Sequence, residues 1–371
     1  MKWIFWLSFG LIAYTYIGYP LALYVKSRWR SQPVRRESIV PRLSVIMAVH
    51  NEAAAISQKL NNLFALDYPT DRLEIIAVSD GSVDGTNKIL RDYADHRLRV
   101  FILPQHEGKA AALNRGIQEA EGEIVVFTDA RQLVEREALK YLVSNFADPT
   151  VGCVSGELML GNPGGPQSGT GVGLYWRFEK MIRRWESESG SVVGATGALY
   201  AARRSLLAPL PEDTLLDDVY QPLQIARRGA RVIFEPRARA WDHMASPHQE
   251  FRRKVRTLTG NYQLLQLAPW LLTRDNPLLF KFVSHKLLRL LVPFALLAFL
   301  AASLSLSAPI YRVSALTQIL FYGSAALKPG KPRWGILKRA SEAALAFILL
   351  NAAAAVALFY FLTGKRRVWV R

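Results

Sequence analysis

Long uninterrupted apolar runs occupy both ends of the chain, while the middle alternates short apolar runs with stretches of helical spacing. From Trp3 to about Val25 no residue is charged, which is length enough to cross a hydrocarbon core. Tyr14, Tyr16, Tyr19 and Tyr24 suit the interfacial end of such a helix. Leu287 to Ser307 and Ala343 to Leu362 are strong apolar stretches near the other end, with a weaker one from Val313 to Leu327 between them. The first run is read as an anchor, not a cleaved signal peptide, because no small-residue cleavage pattern follows it and Lys26, Arg28, Arg30, Arg35 and Arg36 come after it. Those charges predict that residues from 26 onward lie in the cytosol. The weak run leaves two topologies open. If it spans, Lys365, Arg366 and Arg367 face outward against the charge bias; if it is re-entrant, they face inward but Lys328, Lys331 and Arg333 do not.

From Pro41 to about Pro247 the pattern is that of an α/β domain. Leu43 to Val49, Leu73 to Asp80, Leu98 to Leu103 and Glu123 to Asp129 read as buried strands, and Ala53 to Leu66, Thr86 to Tyr93 and Lys109 to Ala120 carry apolar positions at helical spacing between them. Repeated strand, helix, strand units imply a mostly parallel sheet, in which ligands bind beyond the carboxyl ends of the strands.

Composition sharpens this picture. The 371 residues are 50% hydrophobic, with a formal net charge of +17. The basic residues bunch beside the apolar segments and form no long tract, which fits a membrane protein and argues against a nucleic-acid binder. The single cysteine, Cys153, excludes an internal disulfide and a thiolate metal site. The chemistry therefore falls to carboxylates, amides and basic side chains.

Polar residues do gather at the strand ends. His50, Asn51 and Glu52 follow the first strand, Asp80 opens the run DGSVDGT after the second, His106 to Lys109 follow the third, and Thr128, Asp129 and Arg131 end the fourth. A turn with a helix N-cap accounts for DGSVDGT alone, but carboxylates at several strand ends with one lysine would form a single pocket. A nucleotide sugar would suit it, since the diphosphate needs counter-charge and the base needs an acceptor.

The ordered series HNE, SDGSVDGT, EGKAAALNRG, FTDAR, GATGALYAARR, LLDDVY and FRRKVRTLTGNYQ resembles the family 2 glycosyltransferases, and covers nearly the whole chain. The resemblance implies a GT-A fold, Rossmann-like with a mostly parallel sheet, flanked by transmembrane helices. One leading and several trailing apolar segments look like the processive cellulose, chitin and hyaluronan synthases. By this resemblance Glu52 and Asp80 line the nucleoside pocket, with Asp80 taking the base, and Lys109 lies near the diphosphate. Where the family has Asp-x-Asp, this chain has Asp129, Ala130 and Arg131. The resemblance implies a Mg²⁺ or Mn²⁺ ion on Asp129 and the donor phosphates, but the lost carboxylate weakens that site, and the Arg131 guanidinium could itself pair with phosphate.

Asp217 and Asp218 precede a helical stretch and could serve only its dipole. In the family the corresponding pair supplies the general base, at the position of Asp218. FRRKVRTLTGNYQ looks like a variant of Gln-x-x-Arg-Trp, with Arg253 at the glutamine, Arg256 at the arginine, and Thr257 in place of tryptophan; a basic surface helix would show the same charges. Arg256 is expected to meet the leaving diphosphate. The aromatic and basic mixture from Trp176 to Ser189 reads as an interfacial helix holding the site against lipid. His243 reads as structural.

The expected order is a transmembrane helix over 1–25, a basic linker over 26–40, the GT-A domain over 41–247, amphipathic interfacial helices over 248–285 and a membrane region of two or three segments over 286–371. The function expected is inverting transfer from a nucleotide diphosphate donor, a UDP-sugar by preference, to a growing polysaccharide at the bacterial inner membrane. Membrane lipid and a glycan or lipid-linked acceptor are the expected partners. Loading of a polyprenyl phosphate, or a silent nucleotide-sugar-binding subunit, are the alternatives.

Overall fold

The computed structural model describes residues 1–161, 171–243, 246–326 and 335–364. The basic residues on which the topology question turns, Lys328, Lys331, Arg333, Lys365, Arg366 and Arg367, lie outside the described residues. In chain order, α1 (Lys2–Ala13) runs through a π turn at Tyr14–Gly18 into α2 (Tyr19–Trp29). Then follow β1 (Leu43–Val49), α3 (Ile56–Phe64), β2 (Leu73–Asp80), α4 (Thr86–Asp92), β3 (Leu98–Leu103), α5 (Lys109–Glu119) and β4 (Ile124–Phe127). Beyond them come β5 (Leu133–Val134), α6 (Ala138–Ser144), β6 (Val151–Leu160), α7 (Gly171–Glu188), β7 (Tyr200–Arg203), α8 (Asp217–Arg227) and β8 (Arg231–Asp242). The chain continues with α9 (Pro247–Leu267), α10 (Leu279–Phe282), a π turn at Val283–Leu287, α11 (Leu288–Ser305), α12 (Pro309–Ser324) and α13 (Gly335–Leu362).

The strands form one eight-stranded sheet in the order β3-β2-β1-β4-β7-β6-β8-β5. Its first four strands are parallel, as their apolar runs predict, because both faces of such strands are covered. Past β4 the sheet is mixed: β7 is antiparallel to both β4 and β6, β8 is parallel to β6, and β5 is antiparallel to β8. One core packs Ile46, Ile76, Val125 and Phe127 with α5 and α8, and a second packs Val45, Ile75 and Val126 with α6. Phe127 and Tyr200 stack across the β4–β7 junction with centroids 4.6 Å apart. That pair adds aromatic contact where the sheet changes direction.

Among the described residues, three helices are long and apolar enough to cross a membrane: Lys2–Trp29, Leu279–Ser305 and Ala340–Leu362. The helix α12, at 16 residues, falls short of the roughly 20 that a span needs. Phe5 of α1 packs its ring on Phe299 and Tyr311, each at 4.7 Å, joining the first long apolar helix to α11 and α12.

Several polar residues in these apolar helices are paired with α7 or the loop after it. His285 sits between Glu186 at 2.8 Å and Glu179 at 3.1 Å, both on α7. Glu179 also pairs with Arg289, while Tyr19 of the first span donates to Glu186 at 2.5 Å. Lys281 donates to the carbonyl oxygens of Glu186 and Ser191, each at 2.8 Å. Charged side chains at membrane depth are costly unless so satisfied. These bonds lock α7 to two of the three long apolar helices.

The helix α9 starts on a capping box, Ser246 with Gln249, and has Pro247 in its first turn. A Cβ on Gly260 of this helix would lie 2.5 Å from Cγ of Leu216, directly before the Asp217 and Asp218 pair. Close approach of α9 therefore fixes where α8 begins. Gly260→Leu is expected to cost about 1–3 kcal/mol by overpacking and to lower turnover with it. Thermal unfolding in detergent together with nucleotide release measures both; an unchanged midpoint would show that α9 does not press on Leu216.

Candidate active site

The parallel half of the sheet places its polar strand ends along one edge. At the end of β2, Asp80 is buried, and its carboxylate accepts backbone N–H bonds from Glu107 at 2.7 Å and Gly108 at 3.0 Å. His106 Nδ1 lies 2.8 Å from the same carboxylate, and its ring lies over His50 with centroids 4.1 Å apart. Gly81 is at φ +60°, and a Cβ there would stand 2.4 Å from the His106 backbone nitrogen. Only glycine lets the loop after β2 lie this close to the loop after β3. Asp84 accepts from Thr86 N–H at 3.0 Å and Ala53 N–H at 3.1 Å, so the second aspartate of DGSVDGT is a turn residue.

The first residue of α5, Lys109, bridges two elements that are distant in sequence. Its ammonium is 2.9 Å from Asp129, just past β4, and 3.1 Å from Asp217, at the start of α8. Burial opposes the charge on Lys109, but Asp129, Asp217 and Asp218 together outweigh it and tighten its hold on the proton. Burial likewise pushes Asp129 up, yet Lys109, Arg256 and Lys59 bring its carboxyl below the ordinary value.

Asp218 is held by different means. Pro222 lies inside α8 and has no N–H to give to the carbonyl four residues before it, which belongs to Asp218. That carbonyl accepts from Ala195 N–H at 2.7 Å, while the side chain accepts from Gly197 N–H at 2.9 Å. The GATG loop is thus stapled to the Asp218 residue at both ends. A Cβ on Gly197 would sit 3.4 Å from Asp218 Oδ2 and 3.6 Å from Asp129 Oδ2, so these two carboxylate oxygens converge over a bare backbone. Burial, then the Asp217 charge, pushes the Asp218 carboxyl up to about 6.

Around this centre, Arg131 Nε is 3.4 Å from Glu52, whose carboxyl is raised mainly by burial with Arg131 opposing. Arg253 is 3.3 Å from Asp242 at the end of β8, and the same Asp242 oxygen accepts from Gln132 at 3.1 Å. Arg256, one turn on, acts electrostatically on Asp129. The structure therefore gathers Lys109, Asp129, Asp217, Asp218 and Arg256 together, with Glu52 paired to Arg131 and Asp80 enclosed by the loop after β3. His243 is exposed.

Among the described residues, two places could hold a cation. Ligand atoms of His50, Asp80 and His106 lie within 4.8 Å of one another, but the Asp80 oxygens already accept backbone N–H bonds and His50 Nδ1 is 2.6 Å from the Asp80 carbonyl. Two imidazoles and one carboxylate suit a borderline cation such as Zn²⁺. Asp129 keeps Oδ2 turned toward Asp218, and hard Mg²⁺ or Mn²⁺ with phosphate oxygens fits that side.

Sequence reasoning did not single out Lys59, a fully buried lysine that donates to Thr128 Oγ1 at 2.8 Å and to the Gln132 carbonyl at 2.5 Å. Thr128 in turn donates to Ala198 at 2.8 Å, so Lys59 fixes the chain on either side of Asp129. Its place on an apolar helix face gave no signal, because only folding brings α3 under β4. Burial lowers its pKa to about 7. The unfolded chain keeps its proton up to about 10.4, so the cost of charging Lys59 is complete below pH 7 and fades as pH rises above it. Relative to Lys59→Met, the wild-type melting temperature is expected to climb by about 2–5 °C between pH 6.5 and 9. Parallel pH curves in a detergent-solubilised melting series would remove the buried charge from this account.

Residues 44–209 match the family described as Glycosyl transferase family 2. Poly-beta-1,6-N-acetyl-D-glucosamine synthase of Staphylococcus aureus (strain COL) is 28% identical over 231 residues, 60% of this chain and 55% of that protein. Probable glycosyltransferase YdaM of Bacillus subtilis (strain 168) is 29% identical over 249 residues, 62% of this chain and 58% of that protein. The chain thus spans little more than half the length of these curated relatives. Among solved structures, the mannosyltransferase PcManGT from Pyrobaculum calidifontis, in complex with GDP-Man and Mn²⁺, is 27% identical, covers 98% of this chain and 99% of its own, and superposes with a TM-score of 0.76. The carboxylates and lysine at the strand ends therefore lie in a domain of known kind: residues 44–209 are a family 2 glycosyltransferase domain, on a GT-A fold.

Proposed function

We propose that this protein is an inverting transferase of the bacterial inner membrane, moving a sugar from a nucleotide diphosphate donor to a hydroxyl of a growing polysaccharide on the cytosolic face. The observation that carries this reading is Asp218, a partly buried carboxylate of raised pKa that lines a cavity of about 500 Å³ reaching the long apolar helices. A carboxylate there takes the proton as the acceptor oxygen attacks the anomeric carbon, and the bond to the diphosphate breaks on the opposite face. Asp217 stays on Lys109, which leaves Asp218 to act as the base. Lys109 and Arg256 meet the departing diphosphate, and Asp80 with the adjoining His50 and His106 rings forms the nucleoside end. A Mg²⁺ or Mn²⁺ ion on Asp129 would add counter-charge at the phosphates. Glu52 and Arg253 hold the edges of this donor cleft through Arg131 and Asp242.

The family resemblance favours a UDP-sugar. GDP-Man is the competing donor, because the mannosyltransferase that superposes over almost the full chain was solved with it. Nucleotide release from a panel that includes both separates them.

Asp218→Asn is expected to lower turnover by about 10²–10⁴-fold with donor affinity nearly unchanged, since the amide keeps the shape but accepts no proton. In the wild type, a base of pKa about 6 must be ionised to work, so turnover is expected to rise with pH through that value. A variant keeping more than a tenth of the rate, or a wild-type profile flat between pH 5 and 7, counts against Asp218 as the base.

Arg131→Ala is expected to move the Mg²⁺ or Mn²⁺ dependence of nucleotide release to higher metal concentration, because the guanidinium shares the neutralisation of the diphosphate. Metal titrations of both proteins with a chelator control test this. Superimposed curves with equal maxima would confine Arg131 to its pairing with Glu52.

A further inference from the structure

A histidine pair that the transfer step does not use stands beyond the carboxyl ends of β1 and β3. The rings of His50 and His106 lie 4.1 Å apart, 34° from parallel, and one ligand atom from each of His50, Asp80 and His106 falls within 4.8 Å of the others. The loop after β2 fixes the His50 side of the pair. Asn51 sits at φ +53°, with its N–H on Ser82 Oγ at 3.1 Å and its side-chain oxygen on the Val83 N–H at 2.9 Å. A residue other than glycine keeps this left-handed conformation where its surroundings hold it, and these two bonds do so.

The hydrogen bonds decide which nitrogen of each ring faces a ligand. His50 Nδ1 is 2.6 Å from the Asp80 carbonyl oxygen, which can only accept, so Nδ1 carries the hydrogen and Nε2 the lone pair. The Asn51 amide agrees: its oxygen is taken by Val83, and its NH₂ donates to His50 Nε2 at 3.2 Å. His106 Nδ1 lies 2.8 Å from the Asp80 carboxylate, which sets the same tautomer. A backbone carbonyl behind one imidazole and a carboxylate behind the other are the partners that orient metal-bound histidines and raise their basicity. Asp80 serves here as that orienting group, because its oxygens also accept from the N–H groups of Glu107 and Gly108. The His106 side chain is 39% exposed, so a cation reaches the pair from solvent.

Imidazole nitrogen favours borderline Zn²⁺, whereas hard Mg²⁺ and Mn²⁺ belong with carboxylate and phosphate oxygens. We propose that His50 and His106 bind a Zn²⁺-class cation through Nε2, with Asp80 orienting His106 and water completing the shell, and that this ion closes the nucleoside end of the donor cleft. An ion on the two rings occupies the place where a base would lie, so cation and nucleoside exclude each other. The cation at Asp129 would serve the reaction, while the one at the histidine pair stops it. The exclusion rests on the nucleoside reading above; the zinc site rests on the ring geometry.

Calorimetric titration of Zn²⁺ into the full-length, chelator-treated protein in an uncharged detergent, with Mg²⁺ in excess, tests the site without turnover. One ion per chain is expected. His50→Gln and His106→Gln are each expected to weaken it at least about tenfold, and Asp129→Asn to leave it unchanged. Thermal unfolding without zinc checks that the variants fold, and the exposed His106 carries the test if His50→Gln does not. A zinc-induced rise in the wild-type melting temperature, lost in the histidine variants, reads the same site a second way. Zinc that Mg²⁺ displaces, or that stays bound in both histidine variants and leaves with Asp129→Asn, would overturn the proposal. Uridine and guanosine, which lack the phosphates that bind zinc in solution, probe the exclusion. Whichever of them the zinc-free protein binds is expected to lose at least about tenfold in affinity at saturating Zn²⁺, and zinc to lose as much in return. Unchanged nucleoside affinity overturns the blocking role. A zinc-free protein that binds neither nucleoside overturns the nucleoside reading and the exclusion with it, while the zinc titration still decides the metal site.

Discussion

One ammonium group organises the polar edge of the sheet. Asp129, Asp217 and Asp218 arrive from β4 and α8, and like charges about 4 Å apart repel by roughly 4 kcal/mol at the effective dielectric of a protein surface. Lys109 at 2.9 Å from Asp129 and 3.1 Å from Asp217 makes their approach tolerable. Because it engages Asp217 and not Asp218, it also sets the two members of the acidic pair apart. One is an ion-pair partner; the other is a partly buried carboxyl that holds its proton more tightly. The same lysine is the first residue of α5, so the parallel half of the sheet and the region beyond β7 are tied at the acidic cluster.

The second constraint couples that edge to the long apolar helices. Glu179 and Glu186 on α7 meet His285 and Arg289 on one long apolar helix and Tyr19 on another, while α9 presses Gly260 against Leu216. The helices thus form part of the wall that Asp218 faces. Charge inside apolar helices is conserved by physics only where it is paired or where a ligand meets it, and Arg289 is paired on one edge only.

The parallel half of the fold was legible in the chain because strands covered on both faces leave continuous apolar runs: β1, β2 and β3 begin and end where Leu43 to Val49, Leu73 to Asp80 and Leu98 to Leu103 were read. The later strands were not read at all. The ten-residue β6, the twelve-residue β8 and the short β7 pair partly antiparallel or across register shifts, so neither alternation nor a run of fixed length marks them. Glu52, Asp80, Lys109, Asp129 and Asp218 could be picked out because a polar residue directly after an apolar strand, or before a helix, is a local signal.

The sequence by itself determined the class of the domain and the long apolar helices, and it marked the acidic and basic residues at the strand ends as candidates, since each leaves a pattern within a few neighbouring positions. Tertiary structure alone decided their pairing: that Lys109 chooses Asp217 over Asp218, that Arg131 meets Glu52, that Pro222 frees a carbonyl for Ala195, and that Lys59 lies beneath Thr128. The physical reason is the short reach of these interactions. A hydrogen bond or ion pair acts over about 3 Å, and which groups come that close depends on the packing of helices far apart in the chain, information that no local pattern contains.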